Sequence, residues 1–402
     1  FNDALATLQS SLAYLYSNPS NDRFWYDTRP TLRKTVEDRA TQIPEPDVEY
    51  EIERRLRAMR KEAPFSGLHH CPGSSLDVPD EQSVRLVILR PDCVYKPTAG
   101  NNTALAAAED ILNNRGTSPR IYRNMLAFLA PDHDLMGSLR QEMRRYLAWL
   151  SIKHDSEDLN LDAAQIRETI NCLNRSDNTV ELRIKEAYCW LLVPYIDRAT
   201  DLKTIVWERE RISGGTDLPV AKAARKMVQN EALITKWAPA LLLMELDQLL
   251  WRDADHISVK QLWEYLCTYC YLPRLANYEV LEDAVRAGVN SKEYFALAAG
   301  FSDGRFLDLK FNQAVDFIDR SHILVKLVPA LKQIAADQAH AQAAATAQTG
   351  ISAGSGFGTG AVVTGVPGTV IEPPLPYPGA DAASAGGAVA SGTMPVTGSY
   401  TP

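Results

Sequence analysis

Two short, almost wholly apolar runs constrain this chain most: residues 84–89 (Val-Arg-Leu-Val-Ile-Leu) and 124–130 (Asn-Met-Leu-Ala-Phe-Leu-Ala), closed by Pro91 and Pro131. Runs of this length without polar alternation form strands covered on both faces. Between them, residues 104–112 carry a helical pattern that stops near Asn113, Asn114 and Gly116. After the second run, Asp132 or Asp134 can cap a helix whose core face is Leu135, Leu139, Met143, Tyr146 and Leu150. Strand, helix, strand, helix implies a small parallel-sheet unit with helices packed on it. Only two or three strands are visible, counting one at residues 65–70, so the rest of the sheet is expected from sequence preceding Phe1, or the sheet is small.

The flanks read differently. Leu5, Leu8, Leu12 and Leu15 stripe an opening helix, and a chain that starts inside such a pattern reads as a piece of a longer one. Two aromatic runs, Tyr14-Leu15-Tyr16 and Phe24-Trp25-Tyr26, then flank a Pro, Asn and Ser cluster and predict a β-hairpin. A helix follows over residues 31–43, stopped by Pro44 and Pro46. Residues 161–250 read as mainly helical, with one strand candidate at 203–207 before the Ser213-Gly214-Gly215 turn. Ser258 then caps a helix, Pro273 breaks it, residues 278–287 form another, and two short runs flank Ser302-Asp303-Gly304. After Ile334 the chain is rich in Ala, Gly, Ser, Thr and Pro, with no Lys or Arg and a proline-rich stretch from Pro373 to Pro378. Such a segment buries too little apolar surface to offset its ordering entropy. The expected fold class is therefore mixed and mainly α, with a small α/β unit, winged-helix-like modules and a disordered C-terminal tail. The segments are 1–62 (winged-helix-like), 63–155 (α/β, Rossmann-like or partial AAA+-like), 156–255 (helical), 256–335 (second winged-helix-like) and 336–402 (linker).

Charge and motif content exclude several chemistries. With 42 Lys and Arg against 50 Asp and Glu the chain carries a net charge of -8, so any contact with nucleic acid needs a local basic patch. Six scattered cysteines show no disulfide framework and read as reduced thiols of a cytoplasmic protein; no apolar run is long enough for a membrane. Cys267 and Cys270 form a C-x-x-C inside a helical pattern without a second pair, and His69-His70-Cys71, with Cys93 beyond, is not completed at any regular spacing. No metal is expected. Phosphate binding by a G-x-x-x-x-G-K-[ST] loop and acyl transfer by a G-x-S-x-G elbow both lack their motif, so no catalytic residue is assigned.

Four polar groups are candidates for contact. Arg120, Arg123 and Asn124, with Arg115 nearby, lie between a helix end and a buried strand, where an arginine could meet nucleotide charge; the plainer alternative is a solvated rim paired with acids. Arg23, Arg29, Arg33 and Lys34 make the first winged-helix-like segment the better nucleic-acid suspect. Arg140, Arg144 and Arg145 give one helix a basic side, a solvated face or a partner surface. The helix at 278–287 bears Glu279, Glu282 and Asp283 against Arg286 alone, which suits protein packing better than a DNA groove.

Arg23-Phe24-Trp25-Tyr26-Asp27-Thr28-Arg29-Pro30-Thr31-Leu32 resembles the R-[YF]-W-[YF]-x-T-x-P-x-L signature of large prokaryotic ATP-binding proteins classed as domain of unknown function 499. Asp77-Val78-Pro79-Asp80, Arg115-Gly116 with Arg120 and Arg123-Asn124, Phe128 to Asp132, Tyr146-Leu147-Ala148-Trp149, Ala187 to Pro194 and Tyr271-Leu272-Pro273-Arg274-Leu275 extend the likeness in order, to about Ile334. The resemblance implies an AAA+-like, phage-defence-associated ATPase whose ATP- and Mg-binding motifs lie upstream, with a further domain after the proline-rich linker. It makes this chain a non-catalytic regulatory or interaction portion without a cofactor of its own. The partners it implies are the ATPase core, a second copy, and DNA or a DNA methyltransferase. The alternative is a DNA- or protein-docking scaffold with no part in ATP turnover.

Overall fold

The aromatic runs near the start pair as expected: β1 (Leu15–Ser17) lies antiparallel to β2 (Phe24–Tyr26), and Tyr16 stacks on Trp25 at 6.0 Å. In this computed structural model the described residues are 12–351 apart from 18–21, 27–28, 99, 101, 200, 202, 213 and 216, together with Ala4, Thr7 and Leu8. The expected opening helix does not extend through its leucine stripe, because Leu15 is buried in β1; Leu5 lies outside the described residues. Thr31 caps α1 (Leu32–Gln42), accepting from the Lys34 amide. Pro44 and Pro46 do more than stop that helix: they open α2 (Glu45–Arg57), where proline in the first turn loses no hydrogen bond.

The central sheet is larger than the sequence suggested, and mixed rather than parallel. β3 (Gly67–His70), β4 (Arg85–Ile88) and β7 (Leu126–Ala130) are parallel neighbours, with α3 (Thr103–Asn113) and a small ribbon, β5 (Asn114–Arg115) with β6 (Ser118–Pro119), between β4 and β7. Asp132 caps α4 (His133–His154), and α5 (Ala163–Ala187) brings the chain back. One crossover helix returns the chain to the end where the previous strand began, giving a parallel neighbour; a helical hairpin returns it to the end it left. β8 (Trp190–Tyr195) therefore runs antiparallel to β7, and β9 (Val206–Arg211) antiparallel to β8, in the order β3-β4-β7-β8-β9. The missing strands thus come from the stretch read as mainly helical.

The two faces of the sheet alternate as a pleat requires. Leu86, Ile88, Ala127, Leu129, Leu191 and Val193 pack with residues of α2, α4, α5 and α6 (Pro219–Gln229). Val87, Leu126, Phe128, Leu192 and Trp207 meet Ala104, Ala108, Ile111 and Leu112 of α3. On α4 the buried stripe includes Met136, Leu139, Met143, Trp149 and Ile152, whereas Leu150, assigned to the core from sequence, is exposed.

The remaining elements build a second sheet. α7 (Pro239–Glu245) continues through a π-turn (Leu246–Leu250) to β10 (His256–Ser258). Ser258 caps α8 (Val259–Thr268) and Asn277 caps α9 (Tyr278–Val289). β11 (Phe295–Ala298), a hairpin of β12 (Gly300–Ser302) and β13 (Arg305–Leu307), and β14 (Ile323–Lys326) follow, with β14 between β10 and β11, antiparallel to both. α10 (Leu327–Ile351) runs past residue 336, where the tail was expected to begin, because its alanine-rich sequence favours helix. Residues 352–402, including the proline-rich stretch, lie outside the described ones. The chain divides into two units, Phe1–Gln342 and Ala343–Pro402. No described helix is long and apolar enough to cross a membrane.

Candidate functional site

The arginine and asparagine expected to face a nucleotide lie before β7, at the amino-terminal edge of the parallel strands. Open α/β sheets take ligands at the opposite edge. Arg120 is buried, and its guanidinium donates to four carbonyls: Nε to Ile111 at 2.7 Å, Nη1 to Pro79 at 2.9 Å, and Nη2 to Val78 at 2.8 Å and Ser75 at 3.2 Å. Asp80 beside it accepts from the Ile121 and Tyr122 amides at 2.8 and 2.9 Å. Asn124, also buried, donates from Nδ2 to the Leu266 and Leu272 carbonyls at 2.8 and 3.2 Å. Its own carbonyl accepts from Arg274, which also donates to Pro194 at 2.8 Å and Ala232 at 3.0 Å. Arg123 stands half-buried in a 3-10 turn (Arg123–Met125) and Arg115 is exposed in β5. The Arg120 guanidinium and the Asn124 side-chain nitrogen are thus committed to the fold, and burial holds the Arg120 and Arg274 pKa values below the usual arginine range.

The other charged candidates are paired. Arg33 meets Glu37 at 3.1 Å and Lys34 meets Asp38 at 2.7 Å, so two of the four cations proposed for nucleic acid face carboxylates on their own helix. Arg23 precedes β2, and the Arg29 carbonyl accepts from the Tyr16 hydroxyl at 3.3 Å. Arg140 bonds Glu45 at 2.8 Å and Glu49 at 3.4 Å, Arg144 also reaches Glu45, and Arg145 pairs with Glu142 at 3.2 Å. The basic side of α4 is therefore largely a joint to the acidic first turn of α2.

The thiols and imidazoles do not converge. His69 meets Arg85 at 3.0 Å and His70 the Met59 carbonyl at 3.0 Å. Burial pushes the Cys71 thiol up to about 12 and the Cys93 thiol up to about 11. Cys267 and Cys270 are buried, and their thiols are likewise raised by burial. Among the described residues no group of three or more His, Cys, Asp and Glu is placed to hold a metal.

A site that the sequence did not disclose lies under the β12–β13 hairpin. His256 packs against Phe301 at 4.9 Å and Phe306 at 5.8 Å, and the two phenylalanines lie 5.0 Å apart. From α10, Gln333 brackets Phe306: its Oε1 accepts from the Phe306 amide and its Nε2 donates to the Phe306 carbonyl, both at 2.8 Å. Arg305 pairs with Asp337. The groove between hairpin and helix has a volume of about 530 Å³, with Lys332 and His340 on its helical wall. Phe301 and Leu307 are each about half exposed, at 47% and 49%. The hairpin was visible in the sequence; the groove was not, because part of its second wall, Ala336, Asp337 and His340, was assigned to the tail.

No family model matches the chain, and neither the curated proteins nor the solved structures contain a match to it.

Proposed function

We propose that this chain is a non-catalytic docking module that engages protein rather than duplex DNA and serves a larger ATP-dependent assembly of the kind its sequence resembles. The succession α7, β10, α8, α9, β11, hairpin, β14, with β14 in the middle of its sheet, follows the order of a winged helix. In that arrangement α9 takes the recognition position.

The surface of α9 carries the reading. Val280, Leu281, Ala284, Val285 and Val289 face the core, which leaves Glu279, Glu282 and Asp283 outward. Arg286, the lone basic residue of the helix, is held by Asp283 at 2.6 Å. Duplex binding rests on cations that neutralise phosphates, and an acidic helix repels them. The hairpin adds apolar contact area through Phe301 and Leu307 beside the aromatic groove, the composition of a protein interface. ATP turnover, in this reading, belongs to the ATP-binding core that the resemblance implies. The partner classes it admits are that core, a second copy of the chain, or a DNA-modifying enzyme.

Electrophoresis of a short DNA duplex with the chain at low salt tests this. No shift is expected up to ~100 µM protein, a range that covers ordinary non-specific binding. A salt-dependent shift, lost on replacing Arg29, Arg33 and Lys34 with alanine, would favour the DNA-scaffold alternative and overturn the proposal.

A further inference from the structure

The carboxyl edge of the parallel strands, where open α/β sheets take ligands, is furnished differently from the edge that holds Arg120. Ala130 ends β7 opposite Trp190, and Trp190 lies opposite Arg211 at the end of β9. Beside them is a cavity of about 520 Å³ that receives Arg183 and Lys185 from the last turns of α5, Arg211 from β9 and Lys222 from α6. One carboxylate, Glu186, shares the lining, and Arg183 already holds it at 2.8 Å.

Lys185, Arg211 and Lys222 form no ion pair among the described residues, and the carboxylates around them are engaged elsewhere. Asp132 accepts from the Asp134 and Leu135 amides at 3.0 and 3.1 Å and from the Trp190 indole at 2.9 Å. Asp217 is bound by Arg225 at 2.6 Å, and Glu210 by Lys226 at 3.2 Å. Helix dipoles account for Lys185, which sits in the last turn of α5, but not for Lys222, near the amino end of α6, where the dipole disfavours a cation. Lys185, Arg211 and Lys222 line one cavity whose only carboxylate is already paired, so in a chain of net charge -8 this lining is locally positive and favours an anion. Arg211 lies over the Trp190 ring at 5.9 Å, which restrains its guanidinium. Leu135 and Ile212 supply an apolar wall, and Gly214 and Gly215, both at positive φ (83° and 71°), keep the rim free of side chains.

We propose that this cavity binds a small phosphorylated molecule, its phosphate held by Lys185, Arg211 and Lys222 and its apolar portion set against Leu135 and Ile212. The volume suits a small organic ligand rather than a polymer. The site involves neither α9 nor the aromatic groove, so it stands independently of the docking function.

Calorimetric titration of the full chain with inorganic pyrophosphate, at matched ionic strength, tests the site. Saturable one-to-one binding with a Kd below ~1 mM is expected. Arg211→Gln with Lys222→Gln, neither of them a core residue, should weaken it at least ~10-fold through lost charge-assisted hydrogen bonds while circular dichroism stays unchanged. Lys153→Gln, which removes one exposed cation at the far end of α4 from Leu135, should leave it unaltered. Absence of saturation, equal affinity in the double variant, or binding of polymeric nucleic acid that pyrophosphate does not displace would each overturn the proposal.

Discussion

Arg274 keeps its guanidinium inside the protein, with carbonyls from three separate segments as its partners: Asn124, Pro194 and Ala232. The guanidinium spreads its donors over three nitrogens, so Nε, Nη1 and Nη2 each reach a different carbonyl, a separation that the single nitrogen of a lysine ammonium lacks. Arg120 does the same for the turn at Ser75, Val78 and Pro79, and the Trp190 indole ties the Asp132 cap to β8. Arg120 with Val78 and Pro79, Asp132 with Trp190, and Arg274 with Asn124 and Pro194 therefore meet in space as internal joints. Their polarity was legible in the sequence; their role was not, because linear order does not say at which edge of a sheet a residue stands. His69 offers a pH test at this scale. Burial, followed by the Arg85 charge, lowers its pKa from 6.5 to about 4. As pH falls from about 6.5 toward about 4, the unfolded chain takes up a proton that the folded chain refuses, so stability is lost across that interval. His69→Gln should flatten the plot of urea midpoint against pH between those values; an unaltered slope would remove His69 as its source.

Elements were legible where a single signal dominated. The buried strands β4 and β7 show as continuous apolar runs, α8 follows a visible cap at Ser258, and α9 follows the break at Pro273. β9 escaped in part because Val-Trp-Glu-Arg-Glu-Arg is an edge strand whose one buried residue is Trp207. β8 escaped because Pro194 argues against a strand, although here its carbonyl is a partner of Arg274. The second sheet depends on a close approach that only glycine permits. Gly288 of α9 backs onto the buried Phe295 ring of β11, and a Cβ there would lie 2.7 Å from the ring's Cε2. Helix propensity alone would reward Gly288→Ala by ~1 kcal/mol. Overpacking against an immovable ring costs ~1–3 kcal/mol, and this term should win. A net loss of stability is expected on denaturant unfolding of Gly288→Ala, and a net gain would mean that the ring yields.

At the scale of the molecule, one core runs from Val48 of α2 through the sheet strands to Leu281 of α9 and Leu324 of β14. The second sheet is thus built onto the α/β platform, with Asn124 and Arg274 at the seam. The phosphate pocket was beyond the reach of sequence reasoning for a related reason: its cations come from α5, β9 and α6, at spacings that form no motif. The buried polar residues Arg120, Asn124 and Arg274 are structural joints, and denaturant unfolding of Arg274→Met tests this most directly. Removing the guanidinium strands two buried carbonyls, of Asn124 and Pro194, at ~1–3 kcal/mol each, and the half-buried one of Ala232, only partly offset by relief of the buried charge. The expected result is a loss of roughly 3 kcal/mol or more. A transition at the wild-type midpoint would contradict the account.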